Sequence, residues 1–248
     1  MNSAVNGIVI WSVRTGEADS VLSILTEKGI VTAYSRGCLK PKGKLTSCSA
    51  LLTYGNYVLA SGKSMYTLVE GDIQKSFLHI YGDPERYALA VYFCQALKFV
   101  VTEEDGEQYL SLLLNMLFAL NENRHPAWKI KAVFEFVVMT LSGFMPDVFY
   151  CHHCGNEITD GFFDKQNGSV YCSDCAKKLS LGINISNPVL RCIQYIVSSD
   201  LSRSLSFQLA DNRIEELSRT SEEYFLNHIE YNLDTLNYYH TLTSGVLD

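Results

Sequence analysis

Four cysteines arranged as two CxxC pairs are the residues of this chain with the most distinctive chemistry. The first pair is Cys151 and Cys154, and the second pair, Cys172 and Cys175, follows after seventeen residues. Two CxxC pairs at such a distance are a common way to present four thiolates to a tetrahedral zinc ion. Because four thiolates leave no coordination position open for a substrate, the spacing predicts one structural Zn²⁺ ion rather than a catalytic one.

Other interpretations of this quartet have less support in the surrounding sequence. A redox role for the CxxC pairs would need the βαβ context of a thioredoxin fold, which the flanking residues do not provide. His152 and His153 could replace a cysteine as ligands, although exposed residues of the knuckle are the simpler interpretation. No signal peptide is evident, so the other cysteines are expected to be free thiols in a reducing cytosol. They are Cys38, Cys48, Cys94 and Cys192.

Well before the cysteines, residues 5–75 have the sequence pattern of β-strands. Short runs rich in Val, Ile, Leu and Thr are separated by turn sequences such as Thr15-Gly16-Glu17. Five such strands in about seventy residues predict a closed or nearly closed OB-fold barrel, with an SH3-like barrel as the alternative. The predicted strands are Val5–Val13, Ala18–Thr26, Gly29–Ser35, Ser49–Ala60 and Met65–Gly71.

Helical periodicity replaces the strand pattern from Asp83 onward. Asp83-Pro84-Glu85 predicts a helix start, because it combines a capping Asp with Pro at the first helical position. A capping box at residues 220–223 predicts the start of a last helix that runs toward Tyr239. Further helix starts are predicted at Asp105, Pro126 and Asn187.

These patterns together predict an α+β protein with several domains. We expect a barrel at residues 1–79 and an all-helical domain at residues 80–150 and 176–248. The four cysteines interrupt the helical series, so we expect residues 151–175 to be an inserted zinc module.

No arrangement of residues predicts an enzyme active site. Gly62-Lys63-Ser64 resembles the end of a phosphate-binding loop, but Tyr57 stands where the first glycine would be. The histidines outside the quartet are scattered singly, and no Ser/His/Asp or Cys/His arrangement can be placed. We therefore expect no catalytic residues and no small-molecule substrate. No apolar run reaches the roughly 18 residues of a membrane helix, so no membrane partner is expected either.

The charge distribution indicates different partners for the two parts of the chain. The net charge is −7, made up of +3 for residues 1–80 and −10 for residues 81–248. Residues 36–44 contain four basic residues and no acidic one, which favours a solvated loop that contacts nucleic-acid phosphates. A flexible surface loop without a ligand is the alternative. The nearby candidates for base stacking are Tyr34, Tyr54, Tyr57 and Tyr66.

The order of these parts resembles the RecO family of bacterial DNA repair proteins. The resemblance spans most of the chain, and no single motif decides it. In the barrel it rests on residues 7–10, Gly16-Glu17-Ala18-Asp19, residues 22–29 and Ser35-Arg36-Gly37. Further on, it rests on Phe134-Glu135-Phe136 and on Gly143-Phe144-Met145-Pro146, which lead into the first cysteine pair.

The resemblance implies a non-enzymatic recombination mediator. RecO proteins bind single- and double-stranded DNA and anneal complementary strands. With the partner RecR they help to load RecA recombinase onto DNA that is covered by single-strand DNA-binding protein. The helical domain of the family can bind the acidic, hydrophobic tail of that protein. We therefore expect a bacterial cytoplasmic protein that is associated with the nucleoid during repair.

On this basis the barrel is expected to carry the DNA contacts. The residues predicted to bind phosphates are Arg14, Arg36, Lys40, Lys42, Lys44 and Lys63. Two other classes of function stay open at this point. One is a protein-interaction module that docks through its zinc ribbon without binding DNA. The other is a metal-dependent nucleic-acid enzyme, which the shortage of clustered His and Asp outside the quartet disfavours.

Overall fold

The protein has an α+β fold, and the computed structural model describes residues 2–102 and 105–244. The five N-terminal strands are β1 (Asn2–Thr15), β2 (Asp19–Thr26), β3 (Gly29–Ser35), β4 (Thr53–Ala60) and β5 (Tyr66–Ser76). They form a closed barrel in the spatial order β1-β2-β3-β5-β4. This is the strand number predicted from the sequence. Neighbouring strands are antiparallel except β3 and β5, which pair in parallel.

The long first strand closes the barrel because its two halves pair with different neighbours. The first half of β1, up to Ile8, pairs with β4, and the second half, from Gly7 onward, pairs with β2. A register shift between Val9 and Trp11 marks an irregularity of the kind that bends a strand. Burial alternates strictly along β4, so every second side chain faces the barrel core.

One predicted strand is shorter than expected. The sequence predicts a strand from Ser49, but β4 begins at Thr53. The residues before it form turns, in which Ser49 N–H donates to Leu45 O and Thr53 N–H donates to Ala50 O. The residues before Thr53 therefore do not extend the strand, because their backbone groups form local hydrogen bonds in turns.

The helices are α1 (Leu78–Tyr81), α2 (Pro84–Val100), α3 (Gly106–Glu122), α4 (Ala127–Leu141), α5 (Ser173–Lys178), α6 (Asn187–Ser198), α7 (Ile214–His228) and α8 (Asp234–Thr243). The predicted start of α2 is confirmed, because the Asp83 carboxylate accepts a hydrogen bond from Arg86 N–H and Pro84 is the first helical residue. The apolar stripe of α2 is buried as expected, including Leu89, Tyr92 and Leu97. None of the helices in the described residues is long and apolar enough to cross a membrane.

A second small sheet accompanies the helices that follow the barrel. It consists of β6 (Asp147–Cys151), β7 (Gly161–Asp164) and β8 (Ser169–Cys172), in the order β6-β8-β7. The central strand β8 pairs in parallel with β6 and antiparallel with β7. This sheet delivers both cysteine pairs, because β6 ends at Cys151 and β8 ends at Cys172.

The predicted capping box at residues 220–223 is wrong. Helix α7 begins six residues earlier, and both hydroxyls lie within it. Thr220 Oγ1 donates to Glu216 O at 2.7 Å, and Ser221 Oγ donates to Glu135 Oε2 at 2.6 Å. Because these hydroxyls bond inside the helix and to α4, the residues mark no helix start. The chain leaves helical structure after His228, and Tyr239 belongs to the separate helix α8.

The described residues divide into two compact units. The described residues of one unit fall within the ranges 1–122 and 233–248, and the other unit comprises residues 123–232. In the first unit, α2 packs against both the barrel and α8, and α3 packs against β2. In the second unit, α4 packs against α6 and α7, and α6 packs against β6. The domain boundaries expected from the sequence, after residues 79, 150 and 175, stay a prediction.

Candidate metal centre and nucleic-acid interface

The four cysteines of the two CxxC pairs converge in the second unit. Their sulfur atoms all lie within 4.8 Å of one another. The first knuckle follows β6, and the second lies at the junction of β8 and α5. Parallel pairing of β6 with β8 brings these two strand ends together, since Cys151 pairs with Val170, two residues before Cys172. The sequence separation of the pairs is therefore the length of chain needed to form β7 and return along β8.

The separation of the sulfur atoms fits a tetrahedral metal ion. Zn–S bonds of about 2.3 Å would place the sulfur atoms of a regular tetrahedron about 3.8 Å apart. Cys154 Sγ and Cys172 Sγ are 3.9 Å apart, and all four thiols are free. Four soft ligands at this spacing fit Zn²⁺, which they would hold with no open position. The cysteine cluster can therefore bind a metal ion, as the spacing predicts.

Backbone amides at the knuckles favour a thiolate. Cys172 N–H donates to Cys151 Sγ at 3.3 Å. Burial opposes ionisation of Cys151, but N–H groups of Cys172, Cys154 and His153 outweigh it and lower the pKa of the Cys151 thiol to about 6. Burial and the surrounding sulfur atoms raise the pKa of Cys175 to about 12. A bound dication would favour the thiolate form of these cysteines.

The surroundings of the first knuckle agree with its predicted geometry. Gly155 follows Cys154 with a φ of +72°, a conformation that favours glycine, and its N–H donates to Cys151 O at 2.8 Å. His152 and His153 are both exposed, and neither belongs to the group of potential ligands. The His152 ring lies against Tyr171, with ring centroids 5.6 Å apart. These histidines are therefore outer residues of the knuckle.

The candidate nucleic-acid interface lies on the barrel, at the segment between β3 and β4. We call residues 36–44 the basic loop. Arg36, Lys40, Lys42 and Lys44 are all exposed there. Lys44 forms a surface ion pair with Glu70, with Nζ 3.3 Å from Oε1. An exposed pair of this kind is worth little, so it leaves Lys44 able to exchange partners.

The basic loop is folded onto the barrel, which differs from the expectation of a solvated loop, although its basic side chains are exposed. Cys38, Leu45 and Cys48 are buried in the core of the barrel. Successive turns connect them, with Lys40 N–H donating to Gly37 O and Gly43 N–H donating to Lys40 O. The lysines are thus held on a short, ordered segment that is anchored in the barrel core by Cys38 and, directly after it, by Leu45.

Asp19 connects the loop to the turn between β1 and β2. Its Oδ1 accepts a hydrogen bond from Gly37 N–H at 2.6 Å, and its Oδ2 accepts one from the Tyr34 hydroxyl. These two hydrogen bonds, led by the one from Tyr34, lower the pKa of the Asp19 carboxyl, and the nearby cations Arg36 and Lys40 add to the effect. The sequence analysis missed this role, because Gly37 lies eighteen residues away. The one indication in the sequence was an acidic residue, Asp19, at the start of β2 in a barrel segment of net positive charge.

The other two predicted phosphate ligands lie at neighbouring connections of the barrel. Arg14 is exposed and donates to the carbonyls of Gly16 and Glu17, in the turn whose Ala18 carbonyl accepts from Leu39 N–H. Lys63 is exposed in the connection from β4 to β5, three residues before Tyr66. Tyr66 pairs with Ala33, near the end of β3 from which the basic loop departs.

The four candidate tyrosines have different positions. Tyr57 is 1% exposed, and its hydroxyl donates to Thr53 O, so it is a core residue and not a stacking group. Tyr34 is half-buried and bound to Asp19. Tyr54 is also half-buried, and Tyr66 is the most exposed of the four. Tyr66 is therefore the strongest remaining candidate for a stacking contact.

Comparison with known proteins agrees with this arrangement. The family model described as Recombination protein O N terminal matches residues 1–77, and the model described as Recombination protein O C terminal matches residues 81–236. The chain belongs to the RecO family. The non-enzymatic character of this DNA repair family agrees with the sequence, which predicts no catalytic residue.

Curated RecO relatives cover nearly the whole chain. The DNA repair protein RecO of Acetivibrio thermocellus is 32% identical over 240 residues, covering 96% of each chain. The protein of that name from Symbiobacterium thermophilum is 28% identical, covering 97% of this chain and 98% of the relative. That from Dehalococcoides mccartyi is also 28% identical, covering 85% and 84%. The resemblance to RecO inferred from the order of parts is confirmed.

Proposed function

We propose that this RecO-family protein is a DNA-binding recombination mediator. It binds and anneals single-stranded DNA, also binds double-stranded DNA, and works in the bacterial cytoplasm. With RecR it helps to load a RecA-type recombinase onto DNA covered by single-strand DNA-binding protein. Family membership supports the role in DNA repair, and the folded basic loop supports the assignment of DNA binding to the barrel.

The observation that carries the proposal is the concentration of exposed cations on an ordered loop. A protein with a net charge of −7 is repelled by DNA as a whole. DNA binding therefore requires that its cations be concentrated at one place on the surface. The basic loop does this without any intervening acidic side chain. Since its backbone is already folded on the barrel, little conformational entropy is lost when phosphates bind.

In this proposal the predicted phosphate ligands contribute unequally to DNA binding. Arg36, Lys40 and Lys42 are exposed, and Lys44 has to leave Glu70. Arg14 is committed to turn carbonyls and presents only part of its guanidinium. Lys63 extends the cationic surface toward Tyr66, which can stack on a base.

A zinc ion has a structural role in this proposal. Held by Cys151, Cys154, Cys172 and Cys175, it would join the ends of β6 and β8 and so stabilise a sheet of only three short strands. The net charge of −10 over residues 81–248 disfavours direct DNA binding by this module. The same negative charge also disfavours docking of the acidic tail of single-strand DNA-binding protein on the helical domain.

DNA binding is tested with two matched double variants. Lys40→Ala/Lys42→Ala removes two exposed cations from the basic loop, and Lys177→Ala/Lys178→Ala removes two exposed cations from the last turn of α5. Affinity for a single-stranded oligonucleotide is measured by fluorescence anisotropy across salt concentrations. We expect the loop variant to bind more weakly, with a slope of log affinity against log salt that is smaller by about 1.4, at about 0.7 per phosphate.

The control variant is expected to keep the slope and affinity of the wild type. Equal loss in both variants would indicate attraction by total charge and would refute the assignment to the loop. Binding that is unchanged in the loop variant would do the same. If the wild-type protein neither binds DNA nor anneals complementary strands, a protein-interaction module without DNA binding becomes the better description.

A further inference from the structure

Asp19 is an acidic residue within a surface proposed to bind an anion. We propose that it is a positioning residue for DNA binding, and that its carboxylate holds the basic loop in the conformation that presents Arg36 and Lys40 to phosphates. This inference rests on the proposed DNA binding by that loop. By its negative charge alone Asp19 would weaken DNA binding, whereas in this proposal it strengthens DNA binding.

The two hydrogen bonds of Asp19 enclose the start of the basic loop. Tyr34, the donor to Oδ2, lies two residues before Arg36, and Gly37, the donor to Oδ1, directly follows it. One carboxylate oxygen thus fixes the backbone directly after Arg36, and the other holds the side chain of Tyr34, two residues before it. Gly37 has a φ of +69°, so the chain changes direction at the position that Asp19 holds.

A second contact ties the same turn to the next part of the loop. Ala18 O accepts a hydrogen bond from Leu39 N–H at 2.9 Å, directly before Lys40. Arg14 completes this arrangement, because it donates to Glu17 O at 2.9 Å within the same turn. The β1–β2 turn is thus a platform for the basic loop, and Asp19 is its charged contact.

Electrostatics and loop order predict opposite effects of removing Asp19. The carboxylate lies close enough to Arg36 and Lys40 to interact with both. If its charge only weakened the attraction of these cations for phosphate, its removal would strengthen DNA binding. If it holds the loop, its removal leaves a loop that has to be ordered on binding, and affinity falls. The sign of the change therefore separates the two roles.

Glu17 provides a matched control. It lies in the same turn, its side chain is exposed, and its only hydrogen bond in the described contacts is made by the backbone carbonyl. Glu17→Ala and Asp19→Ala each remove one negative charge from this turn. We expect Asp19→Ala to raise the Kd for a single-stranded oligonucleotide at least about fivefold, whereas Glu17→Ala leaves it unchanged or lowers it.

Hydrogen exchange shows whether the loop itself is affected. In Asp19→Ala, the amides of Gly37, Leu39 and Lys40 are expected to exchange faster without DNA, while those of β4 keep the wild-type rate. Tyr34→Phe keeps the charge and removes one of the two hydrogen bonds. It is expected to give an intermediate loss of affinity and intermediate exchange rates, which also tests the inference if Asp19→Ala does not fold.

The possible failures can be told apart. If the wild type binds DNA and folded Asp19→Ala binds as tightly as Glu17→Ala, the positioning role is overturned and the proposed function stands. Wild-type affinity and exchange in Tyr34→Phe would count against the positioning role in the same way. If the wild type does not bind DNA, the proposed function falls, and the positioning role falls with it.

Discussion

Cys154 is the cysteine at which the effect of losing a bound metal ion is most easily distinguished from the effect of losing packing contacts. Of the four clustered cysteines it is the exposed one, whereas Cys151 and Cys175 are buried. An exposed side chain without packing contributes little to stability, and its substitution usually changes the free energy of unfolding by less than about 0.5 kcal/mol. A larger effect at Cys154 would therefore have to come from a bound ion.

We predict that Cys154→Ser lowers the zinc content and destabilises the second unit by clearly more than that amount. Zinc is measured by elemental analysis of protein purified without chelator, and stability is measured by thermal unfolding. After chelation, the wild type and Cys154→Ser should unfold at the same temperature, because the ion is then absent from both. Cys192→Ala, at a buried thiol outside the quartet, should keep one zinc ion per chain. A full zinc complement in Cys154→Ser would refute the four-cysteine site.

At the scale of secondary structure, a buried ion pair joins α4 to α7. Lys131 Nζ lies 2.8 Å from Glu135 Oε1 on the same helix and 2.7 Å from Glu222 Oε2 on α7. Lys131 is 1% exposed and Glu135 is 0% exposed. Burial works against the charge of Lys131, but the two carboxylates outweigh it and raise the pKa of its ammonium group. The ion pair between the two helices therefore consists of a buried ammonium group and the Glu222 carboxylate, whose side chain is 21% exposed.

We predict that Lys131→Met destabilises the protein by about 3 to 5 kcal/mol, because the buried Glu135 carboxylate loses its Lys131 partner. In Lys131→Met/Glu135→Gln that charge is absent, and Ser221 still has an oxygen to bond. The double variant should therefore be more stable than Lys131→Met alone. Urea unfolding of both variants and of the exposed control Lys177→Met checks this. A double variant no more stable than Lys131→Met would show that the unpaired Glu135 charge is not the cause of the loss.

Prediction from sequence succeeded for elements whose signals are local. The turn at Gly16, the cap at Asp83 and the CxxC spacing each involve residues a few positions apart, and each corresponds to an observed feature. The capping box failed because its hydroxyls bond to Glu216 and Glu135 instead, and Glu135 is 86 residues from Ser221. The order of the basic loop was missed for a similar reason, since it depends on Asp19 and on burial of Cys38 and Leu45 in a core built by other strands.

At the scale of the whole molecule, the two compact units separate the two proposed sites. The basic loop lies in the first unit, and the cysteine quartet lies in residues 123–232. Helix α8 returns to the first unit, where Gln95 Oε1 accepts from Thr235 N–H at 3.2 Å. The second unit is therefore a continuous segment, while the first is made of two segments. This division could not be read from the sequence, because the packing of α8 on α2 joins residues 140 positions apart.

We predict that a fragment of residues 123–232 folds cooperatively, holds one zinc ion and does not bind single-stranded DNA. Its core is internal, with Phe134 packed on Phe225 and Phe136 stacked on Tyr224, and Gln194 Nε2 donates to Val148 O at 2.6 Å. Its ten Lys/Arg and thirteen Asp/Glu give a net charge of −3, and it lacks the basic loop. Thermal unfolding, zinc analysis and anisotropy at salt where the full chain binds would check the three parts. A folded fragment with the affinity of the full chain would move the DNA site from the barrel to the second unit, whereas an unfolded one would show that this unit depends on the rest of the chain.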